Sequence, residues 1–384
     1  MVLSSFRKSL GAAVALLSIA WLAGASGAAP GATGIEAHSS ARRTERVILV
    51  TLDGLRWQEV FGGADEALVN KEHGGVEELG DVKEAFWRDA PEKRREALMP
   101  FLWSVVGRDG QIFGNVKKHS LVKVANEQRV SYPGYNELLA GAPDPRIKGN
   151  DKIANPNVTV LEWLNAKPDF KDKVAAFCSW DAFTAILNRE RSHLFVNAGL
   201  APVDEPDLTD RQRFLNDLQQ QMSESFESRR ADSITFQAGF EWIKKHKPRV
   251  AYFNLSETDH WAHAGRYDLV LAAAHEADAM LRELWDSLQS MPDYRGKTTL
   301  IVTTDHGRGD APVEWKSHDG KTKGAEYIWI AALGPEIASL GERSDVKDLA
   351  QGQVAATVAS LLGEDFNAAA PAAAPPIEDL LRAR

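Results

Sequence analysis

The chain has 384 residues, 44% of them hydrophobic and 26% charged, with a formal charge of −9. That length is enough for one large α/β domain or a core with an insertion, and the acidic balance does not favour phosphate-backbone binding over a broad face, so no broad nucleic-acid binding is expected. The single cysteine, Cys178, excludes an internal disulfide framework and leaves packing, with bound metal as the other source, to supply stability.

Residues 1–28 read as an export signal. Arg7 and Lys8 precede an apolar stretch, Gly11 to Ala23, too short for a comfortable membrane span, and Ala23-Gly24-Ala25 and Ser26-Gly27-Ala28 each offer a small-residue cleavage site. The alternative is an uncleaved N-terminal anchor. Losing Arg7 and Lys8 with the signal would take the formal charge from −9 to −11. The expected product is periplasmic or secreted and keeps no stable membrane span. Residues 29–45 read as a flexible leader, 46–366 as a single domain, and 367–384 as an Ala/Pro-rich tail with an extended stretch from Ala368 to Pro376.

Within the domain the pattern alternates strand and helix. Val47 to Leu52 is an unbroken apolar-rich run that ends at Asp53. The polar stretch from Trp57 to Glu96, with Gly62-Gly63 and Gly74-Gly75, reads as an insertion. A helix is expected from Pro100 to Gly107, then strands at Gln111 to Val116 and Leu121 to Ala125, then a short helix from Pro133 to Ala140 with Gly141 as its stop. Asn157 is the expected cap of a helix over Val158 to Asn165, and Lys173 to Phe177 returns as a strand that places Cys178 in the core. No strand is expected between 180 and 246, a region read as a helical cap or layer with a helix over Thr209 to Arg230. Val250 to Leu255, a helix over 266–290, a strand over 298–304 and a helix over 346–362 complete the core. Such alternation predicts a mainly parallel central sheet with helices on both faces, carrying a helical insertion or cap.

Three of these strands deliver an aspartate at or just past their carboxyl ends: Asp53, Asp259 and Asp305. The carboxyl ends of an open α/β sheet form the crevice where ligands bind. Asp259 has His263 four residues on, which one helical turn brings to the same side. Asp305 is followed by His306 and Gly307, whose backbone freedom permits a sharp turn. His318 lies within loop reach of both pairs. Ser131, in Arg129-Val130-Ser131-Tyr132-Pro133-Gly134-Tyr135, sits where a helix begins and free N–H groups favour an anion. Taken alone, each pair is as common on a plain surface, and Ser131 fits a simple capping serine.

Taken together, these motifs resemble the alkaline phosphatase superfamily, most closely its type I phosphodiesterase/nucleotide pyrophosphatase branch. The resemblance runs from Arg46 to about Leu362. It implies an alkaline phosphatase-like fold and two divalent metal ions, one held by Asp53, Ser131, Asp305 and His306, the other by Asp259, His263 and His318. Mixed His/Asp donors suit Zn2+, with Mn2+ as the alternative. The implied reaction is hydrolysis of a small phosphorylated substrate through a phosphoseryl intermediate on Ser131. Asn150 is the counterpart of an asparagine that contacts a phosphoryl oxygen, with Asn155 as rival. Two departures stand out. The branch usually has threonine followed by Phe-Pro-Asn-His where this chain has Ser131-Tyr132-Pro133-Gly134-Tyr135. The sulfatase pattern Ser-x-Pro-x-Arg also fails, because residue 135 is tyrosine. A phosphomonoesterase, and a non-catalytic binding protein on the same scaffold, remain the alternatives.

Overall fold

In a computed structural model, residues 43–222 and 229–381 are described. The proposed export signal and leader to residue 42 lie outside them. Ten strands occur among these residues: β1 Arg46–Leu52, β2 Gln111–Phe113, β3 Val122–Lys123, β4 Val174–Cys178, β5 Phe195–Ala198, β6 Val250–Leu255, β7 Thr298–Thr303, β8 Ile330–Leu333, β9 Gly341–Glu342 and β10 Leu349–Ala350. Eight form one sheet in the order β5-β4-β6-β1-β7-β8-β2-β9. Only β8 runs against the others in that sheet. The remaining two, β3 and β10, pair with each other.

β1 shows why the sheet is buried on both sides. Val47 and Leu49 face one apolar layer with the helix Ser131–Ala140, while Ile48, Val50 and Leu52 face the other with the helix Tyr267–Ser290. Alternate residues of a strand point to opposite faces, so an unbroken apolar run is what a doubly covered strand requires. Each such side chain, fully buried, stabilises the fold by about 1.5–3 kcal/mol.

β1 lies between β6 and β7, in parallel register with both, Leu52 opposite Leu255 and Thr51 opposite Thr303. The three strands that end in aspartate are therefore neighbours at the centre of the sheet. This adjacency collects residues 53, 259 and 305 into one crevice.

The structure departs from the sequence expectations in several elements. β5 lies in the region expected to hold no strand; at four residues, one of them Asn197, it is too short for a periodic signal. β8, Ile-Ala-Ala-Leu, is apolar throughout and so carries no alternation to reveal it. Of the helix expected over Thr209 to Arg230, residues 223–228 lie outside the described residues, and the described helix runs Asp210–Gln221, started by a capping box on Thr209 and Gln212. Thr159, not Asn157, caps the helix Val160–Asn165, its side chain accepting from Glu162 N–H. The last core helix begins at Gln353, because β10 occupies part of the span expected to be helical. The C-terminal tail packs rather than trailing: Ala373, Ile377 and Leu380 are buried in the layer that holds the Ser131 helix. Residues 57–100, expected to be an insertion, hold four short helices. Helix Asp232–His246 packs Phe236 and Trp242 with Phe177 and Phe253, so it is a layer of the core. No helix of the described residues is long and apolar enough to cross a membrane.

Candidate active site

Ser131 is the first residue of its helix, and Val130 before it makes no side-chain cap. The hydroxyl is thus not spent on capping. It lies 3.5 Å from His306 Nε2, with the residue only 1% exposed. The open N–H of Tyr132 is taken by Asn150 Oδ1 at 2.9 Å, which leaves the Asn150 Nδ2 group as a donor at the mouth of the site. Asn155 is placed elsewhere: its Nδ2 donates to Asn136 Oδ1 and to the Ile186 carbonyl, and it is fully buried. Of the two asparagines, Asn150 is the one beside Ser131.

His306 Nε2 lies 3.3 Å from Asp305 Oδ2, 3.6 Å from Asp53 Oδ1 and 4.0 Å from Asp259 Oδ1. Asp259 Oδ1 in turn lies 3.4 Å from His263 Nε2 and 3.6 Å from His318 Nε2. His263 and His318 approach through their Nε2 atoms at 2.9 Å, and the rings of His306 and His318 stack with centroids 3.7 Å apart. The structure thus brings together all seven residues predicted from the sequence as ligands. Two tight groups stand out, Asp53/Asp305/His306 and Asp259/His306/His318, with His306 in both. His263 sits at the exposed rim, its side chain 48% accessible.

The surroundings orient these groups. His306 Nδ1 contacts the Gly307 carbonyl at 2.9 Å and His318 Nδ1 the Arg129 carbonyl at 2.9 Å. Donation through Nδ1 leaves each Nε2 lone pair facing the crevice, the arrangement common to metal-ligating histidines. Asp305 Oδ1 accepts from Gly54 N–H at 3.0 Å, and Gln351 Nε2 donates to the Asp305 carbonyl at 2.6 Å. Gly307 is needed for close approach rather than for turning: a Cβ there would lie 2.3 Å from the Tyr327 carbonyl oxygen.

Gly134 occupies one of the positions that depart from the branch pattern, and the packing accounts for it. A Cβ at 134 would lie 2.4 Å from the Asp305 carbonyl oxygen and 3.1 Å from its carbon. The Ser131 helix therefore rests backbone to backbone on the Asp305 segment. Alanine normally favours a helix over glycine by about 1 kcal/mol. Here Gly134→Ala is expected to destabilise instead, by roughly 1–3 kcal/mol, and to lower kcat by shifting Ser131. Urea unfolding together with steady-state turnover checks the sign.

Electrostatics divide the two groups. Burial, then Asp305 and Asp259, hold the Asp53 carboxyl well above the usual carboxylate range. Burial and Asp259 push Asp305 up to about 7. Burial drives His306 well below the usual imidazole value and His318 down to about 4, so both are neutral and able to ligate. Burial also pushes Asp259 upward, but Arg308, His263 and His318 together hold it well below its usual value.

Both carboxylate oxygens of Asp53 and the Oδ2 of Asp305 are buried without a hydrogen bond of normal geometry, the Tyr135 hydroxyl lying close enough only to act on the Asp53 charge. Buried carboxylates so poorly hydrogen-bonded are costly, and a divalent cation with oxygen and imidazole ligands is what such a cradle fits. The residues present therefore suit the metal that the resemblance implies.

Two arginines in the site were missed from the sequence. Arg308, 1% exposed, donates to Asp259 Oδ1, and Arg229 Nη2 lies 3.8 Å from Asp259 Oδ2. Arg308 follows directly on Asp305-His306-Gly307, but a cation in a polar loop carries no sign of burial. A cavity of about 460 Å3 is lined by Tyr132, the residue after Ser131, with Ile147, Lys148, Ile153 and Pro156, and by none of the seven ligand residues.

Comparisons with known proteins agree with this architecture. The sequence model described as type I phosphodiesterase / nucleotide pyrophosphatase matches residues 83–328, a span from Ser131 through His318 that excludes Asp53. No curated protein matches the chain. Among solved structures it is similar to wild-type alkaline phosphatase PafA, at 11% identity and TM-score 0.57, covering 88% of this chain and 99% of that one. It is also similar to the lipoteichoic acid synthase LtaP from Listeria monocytogenes, at 13% identity and TM-score 0.54, covering 85% and 73%. A 2-O GAG sulfatase, BT1596, matches at 12% identity and TM-score 0.54, covering 88% and 74%. At these identities the likeness is one of fold.

Proposed function

The chain belongs to the type I phosphodiesterase / nucleotide pyrophosphatase family and is a hydrolase of phosphoric ester bonds; we propose that it is an exported, two-metal phosphodiesterase that attacks its substrate with Ser131. The observation that carries this reading is the meeting, in one buried crevice, of Ser131 Oγ, His306 Nε2 and carboxylate oxygens of Asp53 and Asp305 that make no hydrogen bond of normal geometry. Asp53, Ser131, Asp305 and His306 would hold one divalent cation, and Asp259, His263 and His318 the other, with Zn2+ the best match to these donors and Mn2+ the alternative. When bound, such cations favour the alkoxide of a coordinated hydroxyl and stabilise charge on the attacking and leaving oxygens of an in-line displacement.

The chain's own residues do the rest. Ser131 Oγ forms a bond to phosphorus while the bond to the leaving alcohol breaks. The serine proton passes to solvent and the departing oxygen takes one up. Water then cleaves the Oγ–phosphorus bond, restoring Ser131 and releasing the phosphorylated product. The helix that begins at Ser131 directs its positive end at the phosphoryl group, and Asn150 Nδ2 donates to a phosphoryl oxygen. The cavity beside Tyr132 receives the organic part of a small substrate. A sulfatase-type modification of Ser131 is disfavoured because residue 135, arginine in that pattern, is here a buried tyrosine whose hydroxyl accepts from Asn254 Nδ2 at 2.6 Å.

The reading of residues 1–28 as an export signal supports a periplasmic or secreted enzyme. The substrate class is tested by comparing kcat/KM for a monoester and a diester that share one leaving group. A higher value for the diester is expected. A higher value for the monoester makes the protein a phosphomonoesterase, and turnover of neither supports a binding role for the scaffold.

A further inference from the structure

We propose that Arg308 makes the two cation positions unequal, so that the Asp53/Asp305/His306 position fills first and the Asp259/His263/His318 position only at higher metal concentration. The inference rests on the two-metal reading above.

The two groups differ in how their carboxylates are compensated. Around Asp53 and Asp305, three buried carboxylate oxygens make no hydrogen bond of normal geometry. Asp259 is different: Arg308 Nη2 donates to its Oδ1, the same oxygen that faces His263 and His318. A second guanidinium, Arg229, approaches its Oδ2 at 3.8 Å and lies over the Trp180 ring at 5.5 Å. One position thus presents two carboxylates with no guanidinium in contact, Arg229 acting on Asp53 only through its charge, and the other a single carboxylate already hydrogen-bonded by Arg308 and approached by Arg229.

Arg308 is also held in place. Its Nη1 donates to the Lys316 carbonyl at 2.7 Å and its Nη2 to the Asp259 carbonyl at 3.2 Å. Gly54, at φ +59°, marks how tightly it is walled in: a Cβ there would lie 3.0 Å from both Arg308 Nε and Asp259 Oδ1. A cation entering beside Asp259 must therefore bind against a fixed positive charge inside a buried site, where charge interactions are screened far less than in water. The arginine weakens that position without occupying the other.

Zn2+ titration of chelator-stripped protein, by calorimetry in metal buffers with elemental analysis of the product, tests this. Wild type is expected to bind two ions per chain, the second with a dissociation constant roughly a hundredfold weaker or more. Arg308→Gln should tighten the second by roughly tenfold or more and leave the first unchanged, whereas Arg308→Lys, which keeps the charge, should retain the weak position. Should Arg308→Gln fail to fold, Arg229→Gln carries the test: the second ion should still tighten, and any shift of the first reflects the Arg229 charge, which also reaches Asp53. Two ions bound with the same second dissociation constant in wild type and in the folded charge-removing variant overturn the inference and leave the two-metal reading intact. A single ion bound by wild type and by that variant, at any metal concentration, overturns the two-metal reading and the inference with it.

Discussion

Ser131→Ala is expected to lower kcat on a phosphodiester by roughly a thousandfold or more while the protein stays folded. The geometry separates chemistry from structure at this residue. The helix it begins has Val130 at the capping position, and the Tyr132 N–H is satisfied by Asn150, so removing the hydroxyl deprives no backbone group of a partner. The Oγ has His306 Nε2 at 3.5 Å, inside a crevice where water cannot freely replace it. Unfolding midpoints should therefore change little, and the six remaining ligands should still bind metal. A variant that binds its metals and turns over a chromogenic diester as fast as wild type would show that Ser131 is not the nucleophile.

Asp53→Asn is expected to act in opposite directions with and without metal. Asp53 is fully buried, neither of its carboxylate oxygens makes a hydrogen bond of normal geometry, and Asp305 and Asp259 lie close enough to disfavour its charge. An uncompensated buried charge costs several kcal/mol, so the amide should stabilise the metal-free protein by roughly 1–3 kcal/mol. With metal the balance reverses. A ligand present at about 100 times its Kd stabilises the folded state by about 2.7 kcal/mol, and the variant should lose most of that gain together with roughly a hundredfold or more in kcat. Thermal unfolding with and without Zn2+, run on both proteins, reads the two signs in one experiment. A variant less stable than wild type in chelator and equally stabilised by Zn2+ would mean that Asp53 is a packing residue.

Much of the site was legible in the sequence because its residues sit at the ends of strongly apolar strands. Asp53, Asp259 and Asp305 each follow a run too apolar for anything but a buried strand, and buried parallel strands must lie side by side. What the sequence did not show is adjacency itself: β6, β1 and β7 are neighbours although some two hundred residues separate the first two in the chain. Short elements were also hidden. β5 and β8 span four residues each, too few for a period to read. The packing of Ile377 and Leu380 was masked by the Ala/Pro-rich composition around them.

Arg308 and Gly134 were illegible for a different reason. Each has its meaning in a contact with a distant segment, Arg308 with Asp259 and Gly134 with the Asp305 backbone, and neither residue type signals such a contact locally. Asn150 falls between these cases. The resemblance singled it out, and the structure sets its side-chain oxygen on the Tyr132 N–H, beside the serine. Its exposed position and remaining donor are consistent with the phosphoryl contact proposed for it.

The account stands on a covalent step at Ser131, and one measurement reaches that step directly. Wild-type enzyme mixed with a phosphodiester is quenched in acid during turnover, and its peptides are mapped by mass spectrometry. The predicted result is a phosphoryl-bearing adduct on the peptide containing Ser131, formed and lost on the timescale of turnover and absent from Ser131→Ala. Rapid turnover with no adduct, or an adduct on another residue, would contradict it.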